Sequence, residues 1–313
     1  VTAPDRIDVA CGEASFVDVT FAGLDAVPAP GEERFARDLL RSPGGAATVA
    51  IGAARLGLNA ALASPLGCDP EGVFLRGQLE AEGVRWAGRR VARTPVTAVM
   101  PAAGERALAT FDPGEQVRAA ELAALDPRAV VLSLPRLALA PPAARLYATT
   151  GDEEARAAAA AGRLPPELAH ARALLVNERE ALLLSGAADA AEAARSLTAH
   201  APRVVVTLGP DGALSAAAGE DEEIRAEGVP VEAVDTTGAG DLFAAAYVWA
   251  DLNGASPIDS LRWAVLSAAL SVRVATAIAG APTYEQLAAA AAERGLTPLP
   301  RRGEPVTSTK EEA

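Results

Sequence analysis

The chain is predicted to fold as an α/β protein built on a mostly parallel sheet. Three observations carry this expectation. Short apolar runs of strand length occur at 130–132, 174–176 and 203–208; helical patterns separate them, at 153–161, 178–184 and 190–200; and glycine punctuates the connections. Apolar runs fit strands covered on both faces. Strands alternating with helices give a doubly wound sheet. With 313 residues, 50% hydrophobic and 22% charged, the chain has enough material for one large α/β domain or two ordinary ones.

Taken in order, strands are expected at 7–10 and 16–21, joined through Gly12-Glu13, with a Pro/Gly-rich connection at 24–32. An Ala-rich helix over 46–56 stops at Gly57, a short buried strand follows at 59–63, and a helix over 72–82 stops at Gly83. Residues 90–112 depart from this pattern, with extended stretches broken by Pro101 and Ala103-Gly104 that read as a β-hairpin outside the main sheet. Residues 229–234 read as a strand leading into an apolar helix at 242–252. Helices at 257–276 and 284–294 follow, and the polar, Pro-containing stretch 297–313 reads as a disordered tail. No internal repeat is visible.

The formal charge of −13, without a basic stripe, argues against nucleic acid or an anionic membrane as partner. Lys310 is the single lysine; the other fixed cations are arginines. Cys11 and Cys68 are too few and too far apart for a disulfide scaffold or metal clip, so both are expected as reduced thiols. His170 and His200 are isolated, which disfavours zinc. No charged-then-apolar leader and no apolar run of membrane-spanning length is present, so a soluble cytoplasmic protein is expected.

The most informative segment is Asp235-Thr236-Thr237-Gly238-Ala239-Gly240-Asp241. A glycine-rich turn opening a helix presents backbone N–H groups and the positive end of the helix dipole, which together suit an anion, most often phosphate. An aspartate beside a phosphate needs another task, and taking a proton from an attacking hydroxyl is one. The plain alternative is a tight turn with Asp241 as a first-turn acid. Upstream, Thr207-Leu208-Gly209-Pro210-Asp211-Gly212 is a T-x-G-x-x-G turn after a strand, where open α/β sheets bind ligands. Asn177 and Glu180 stand at i and i+3 on a first helical turn; they suit Mg²⁺ as oxygen ligands, or an N-cap with its acid. Asp18, between Val17 and Val19, faces either a cleft or solvent. Thr149-Thr150-Gly151-Asp152 repeats part of the key string but lacks the second glycine and runs into Glu153 and Glu154, so it reads as a capped helix start.

Together these motifs resemble the ribokinase-like (PfkB) carbohydrate kinases. DTTGAGD, T-x-G-x-x-G and N-x-x-E occur in the family's order, with Gly44-Gly45 and Ala54-Arg55-Leu56-Gly57 resembling the sugar-binding segment. Thr48 stands where asparagine is usual. The resemblance implies a three-layer α/β sandwich with a mostly parallel central sheet and a small β-sheet lid. It places the kinase domain at 1–296, with the lid from about 14–42 and 88–115, ahead of the 297–313 tail.

The implied activity is ATP-dependent phosphorylation of a hydroxymethyl group on a small sugar. Asp241 is then the base, with Gly238, Ala239 and Gly240 as the anion hole. Thr207, Gly209, Gly212 and Thr237 contact nucleotide, Asn177 and Glu180 position Mg²⁺, and Asp18, Gly44, Gly45 and Thr48 hold substrate. A monovalent cation near the Asp235 loop and a homodimer through the lid are also implied. The absence of G-x-x-x-x-G-K-[ST] excludes a P-loop kinase. Alternatives are a nucleoside kinase of the same family, which the 4% aromatic content disfavours, and a non-catalytic sugar- or nucleotide-binding regulator, against which the intact Asp241 and glycines argue. A dinucleotide-dependent oxidoreductase lacks an early G-x-G-x-x-G.

Overall fold

The computed structural model of the chain describes residues 6–102, 105–220 and 222–299. The strands of the first half are β1 (Val9–Cys11), β2 (Ser15–Ala22), β3 (Asp38–Gly45), β4 (Ala60–Leu62), β5 (Leu66–Gly67), β6 (Arg85–Trp86), β7 (Arg90–Val91), β8 (Val96–Ala102) and β9 (Glu105–Phe111). Those of the second half are β10 (Ala129–Ser133), β11 (Arg145–Thr149), β12 (Ala171–Asn177), β13 (Arg203–Thr207), β14 (Ala213–Ala217) and β15 (Ile224–Ala226). The α-helices are α1 (Ala46–Arg55), α2 (Pro70–Ala81), α3 (Ala119–Ala123), α4 (Asp152–Ala161), α5 (Glu178–Ser185), α6 (Ala190–Leu197), α7 (Ala239–Leu252), α8 (Pro257–Ser271), α9 (Ala277–Gly280) and α10 (Tyr284–Ala292).

Nine strands form the main sheet in the order β15-β14-β13-β12-β11-β10-β1-β4-β6, parallel from β13 to β6 and antiparallel at β14 and β15. Both faces are buried, and alternation along each strand feeds two cores. Val9, Val131 and Val205 join the core that holds α1, α7 and α8; Ala10, Val130, Val204 and Val206 join the one that holds α5 and α6. A second sheet, ordered β3-β2-β8-β9, makes the lid. It lies within the two segments assigned from sequence, except that β3 runs on to Gly45.

α7 is the helix that matters most for the site. Residues 242–252 are all buried and, Asp251 apart, carry no charge, as expected of a helix enclosed by protein. Its far end is anchored by Asp251, which accepts hydrogen bonds from the Tyr147 hydroxyl and from Arg172, the latter at 2.7–3.2 Å. Near its start, α1 approaches closely. A β-carbon on Gly52 would lie 2.7 Å from Leu242 Cδ2 and 3.0 Å from Ala245 Cβ, so the missing side chain brings the two helices together.

Several expectations need correction. Residues 229–234 form no strand; Pro230 offers no N–H to a ladder, and Val229, Val231 and Ala233 line a cavity instead. The helix expected over 257–276 ends at Ser271, and Thr276 caps the separate short helix α9. Strand β11 was hidden because its sequence, Arg-Leu-Tyr-Ala-Thr, is neither an apolar run nor a clean alternation. β7 pairs with β5 in a small sheet of its own rather than with the lid. Residues 297–299 of the expected tail are packed: Thr297 and Leu299 carbonyls accept hydrogen bonds from Trp263 Nε1 and the Tyr284 hydroxyl. The rest of that tail, with Lys310, and the hairpin turn at Ala103-Gly104 lie outside the described residues.

Candidate active site

The turn before α7 is tied down by its own aspartate. Asp235 Oδ1 accepts the Thr237 N–H and Oδ2 accepts the Thr276 N–H, both at 2.9 Å. Val234 and Asp235 N–H groups both donate to the Val272 carbonyl, at 2.7 and 3.1 Å. Gly238 caps the helix at φ 74°, and a β-carbon there would fall 2.3 Å from Ala277 Cβ. Backbone conformation and space both therefore require glycine at this position. The first turn of an α-helix has no intrahelical acceptors for its N–H groups, and Asp241 lies in that first turn of α7.

Two adjoining cavities open beside this helix end and share Thr207, Thr236, Gly240 and Phe243. The smaller, about 280 Å³, is polar and brings Asp241, Gly238 and Gly240 together with Asn177, Glu180 and Thr207. The larger, about 560 Å³, is apolar, walled by Val229, Val231, Val265, Ala268 and Val272, with Gly209 and Gly212 along one side. At Gly212 (φ 90°) a β-carbon would meet the Ala226 carbonyl at 2.2 Å. Thr237 lines neither cavity, and its hydroxyl is buried without a partner among the described residues.

Asn177 and Glu180 form a reciprocal capping box on α5. Asn177 Oδ1 accepts the Glu180 N–H at 2.8 Å, and Glu180 Oε2 accepts the Asn177 N–H at 2.9 Å. The capping reading is thus realised, and both residues also line the polar cavity. Burial pushes the Glu180 carboxyl up to about 7, with Asp152 and Glu154 adding repulsion against the Asn177 hydrogen bonds.

The lid-side group is placed apart from both cavities. Asp18 is buried on β2, which rules out a solvent face, and its carboxylate lies over Gly44, where a β-carbon would come within 2.3–2.5 Å of it. Gly45 caps α1 at φ 61°. Thr48 is fully buried, and its hydroxyl donates to the Pro43 carbonyl at 3.2 Å. Its Cγ2 lies 3.3 Å from where a Gly238 β-carbon would sit, so Thr48 joins the glycine pair to the start of α7.

Sequence reasoning missed Thr149, Thr150 and Glu13. Gly151 does cap α4, as expected, yet Thr149 and Thr150 also line the polar cavity that Asp241 lines. Thr149 donates its hydroxyl to Glu13 Oε1 at 2.7 Å. The signal was Glu13 itself, a charged residue just past the C-terminal end of the buried parallel strand β1. Burial pushes its carboxyl up to about 7, partly offset by Thr149, with Glu154 raising and Arg136 lowering it further. Cys11 beside it is pushed above its usual range by burial and by the Glu13 and Asp241 carboxylates.

These shifts set a pH dependence. Glu13 and Glu180 both rise from 4.5 to about 7, so the folded chain holds protons that the unfolded chain has released. Their contribution to stability is full below about 4.5 and is lost as pH rises through about 7. Melting temperature is expected to fall between about pH 5 and pH 8, and Glu13→Gln, which keeps an acceptor for Thr149, to flatten that slope. A variant with the wild-type slope would show that Glu13 does not hold the proton.

Comparison with known proteins agrees with this architecture. The pfkB family carbohydrate kinase domain matches residues 16–284. A 1-phosphofructokinase of Haloferax volcanii is 44% identical over 89 residues, a stretch that is 28% of this chain and 28% of that protein. A ribokinase of Haemophilus influenzae is 28% identical over 278 residues, covering 82% of this chain and 90% of the relative. Among solved structures, the ribokinase of Thermotoga maritima superposes with a TM-score of 0.75 at 22% identity, over 91% of this chain and 99% of that one. Arabidopsis thaliana ribokinase complexed with ribose and ATP gives 0.74 at 22% identity, over 91% and 98%. Among the described residues, no helix is long and apolar enough to cross a membrane. With its ribokinase-like sheet and lid, and with the family's domain spanning most of its length, the chain belongs to the pfkB family of carbohydrate kinases.

Proposed function

We propose that the protein transfers the γ-phosphoryl group of ATP to a hydroxymethyl group of a small sugar. The observation that carries this is the shared polar cavity, in which the Asp241 carboxylate, the glycine-opened end of α7 and the Asn177–Glu180 pair face one space that continues into an apolar slot. The slot takes the nucleotide base, and Gly209 and Gly212 let backbone approach the ribose and phosphates beside Thr207 and Thr237. N–H groups of Gly238, Ala239 and Gly240 hold the transferring group as charge spreads over its oxygens. Asp241 accepts the proton of the attacking hydroxyl. Asp18, Gly44 and Gly45 hold the sugar under the lid, which keeps water from the reaction. Thr48 shapes this side through packing, since its hydroxyl is engaged by Pro43.

Asn177 and Glu180 fit Mg²⁺ as hard oxygen donors. No cluster of three or more His, Cys, Asp or Glu suited to a metal occurs among the described residues, which suits an ion held largely by phosphates and water. When bound, the ion would neutralise charge on the phosphates. A monovalent cation near Asp235 would brace the same turn. Exposed Phe35, Leu39, Leu108 and Phe111 on the lid segments offer a second copy an apolar surface for dimerisation.

A panel of pentoses, hexoses, fructose 1-phosphate and nucleosides, scored by ADP release with and without K⁺, tests the reading. Turnover is expected with a sugar. Turnover with nucleosides alone would move the assignment to a nucleoside kinase, and failure of every acceptor to give ADP would point to a regulator.

A further inference from the structure

Arg55, in the last turn of α1, reaches across the fold instead of into solvent. Its Nε and Nη2 donate to the two oxygens of Glu82 at 2.8 and 2.6 Å, and its Nη1 donates to the carbonyls of Ile278 and Ala281 at 2.6 and 2.7 Å. Such charge-assisted, forked bonds are strong and fix direction as well as distance. Neither Arg55 nor Glu82 lines the polar or the apolar cavity beside α7.

What Arg55 grips is the stretch that presses on the start of α7. Thr276, just before it, has φ 69°, a conformation unfavourable for a β-branched residue that persists only where the surroundings hold it. Two anchors do so: Asp235 on the Thr276 N–H upstream, and Arg55 on the two carbonyls downstream. Between them, Ala277 Cβ sits against Gly238 so closely that no side chain fits there. Gly280 is likewise backed onto the Ser271 carbonyl, 1.9 Å from where a β-carbon would be, so the stretch has little room to relax away.

We infer that Arg55, braced by Glu82, is a positioning residue that sets the glycine turn at 238–240 for phosphoryl transfer; its catalytic part rests on the kinase reading above. Contact runs from Glu82 through Arg55 and the Ile278 and Ala281 carbonyls to Ala277 and Gly238. Small displacements of a transition-state donor are costly in rate, while substrate held elsewhere binds as before.

The test combines steady-state kinetics with amide hydrogen exchange on wild type, Arg55→Lys, Arg55→Ala and Glu82→Gln. Arg55→Ala is expected to lower kcat by about 10–100-fold while the acceptor KM stays within about 3-fold. Exchange at 236–241 is expected to rise about tenfold, with β13 unchanged. Arg55→Lys should recover part of the loss, since its ammonium meets the carbonyls but lacks the fork; Glu82→Gln should show a smaller version of both changes. Wild-type exchange at 236–241 in all three variants, or an equal rise in β13, would overturn the inference. Exchange decides the clamp even if wild type phosphorylates none of the acceptors, an outcome that would sink the kinase reading alone.

Discussion

Asp241→Ala is expected to keep ATP binding and to lose phosphoryl transfer by about 10²–10⁴-fold, the usual worth of a positioned general base. The separation follows from where the residue sits. The apolar slot proposed for the base is walled by Val229, Val265 and Val272, and Asp241 does not line it. The polar cavity holds Asp241 beside Gly238 and Gly240, where, on the proposed reading, its carboxylate would oppose phosphate and serve the acceptor. Removing it therefore takes charge repulsion out of the ground state and the base out of the transition state. Calorimetric titration should give equal or tighter ATP affinity, and turnover should fall at every pH. Loss of ATP binding together with activity would place Asp241 in nucleotide recognition instead.

Gly238→Ala has the second largest expected effect, and it acts on both stability and rate. The position has φ 74°, and the added carbon would lie 2.3 Å from Ala277 Cβ. Left-handed backbone and overpacking each cost on the order of 1–3 kcal/mol, so melting should shift down by several degrees. The turn must move to make room, and kcat is expected to fall by about 10²-fold. Gly240→Ala is the control. Nothing lies within 4 Å of a β-carbon there, so the fold should be untouched, while the methyl group enters the space shared by both cavities. Equal melting temperatures for Gly238→Ala and wild type would contradict the packing described for Ala277.

Much of the fold was legible because it rests on local signals. The apolar runs at β10, β12 and β13, the capped helix α5 and the glycine stops at Gly57 and Gly83 all state their own structure. What failed depended on distant partners. Residues 229–234 have the composition of a strand, but Pro230 breaks the ladder and their apolar side chains wall a cavity. Residues 257–276 have a helical pattern, but the chain leaves the helix at Ser271, where Val272 gives its carbonyl to the Asp235 turn. In the candidate site, the motif residues on local turns come together: Asp241, Asn177, Glu180 and Thr207 line one cavity. Glu13, Thr149 and Arg55 act through residues 136 to 226 positions away, which no local pattern reveals.

Phosphorus NMR of the products from ATP and the best acceptor, with wild type and Asp241→Asn side by side, tests the proposed chemistry most directly. Wild type should yield ADP and one phosphomonoester whose proton coupling marks a primary alcohol, and the variant should yield neither above background. ADP with inorganic phosphate alone, or an equal yield of the same ester from Asp241→Asn, would contradict the assignment of Asp241 as the base of a sugar kinase.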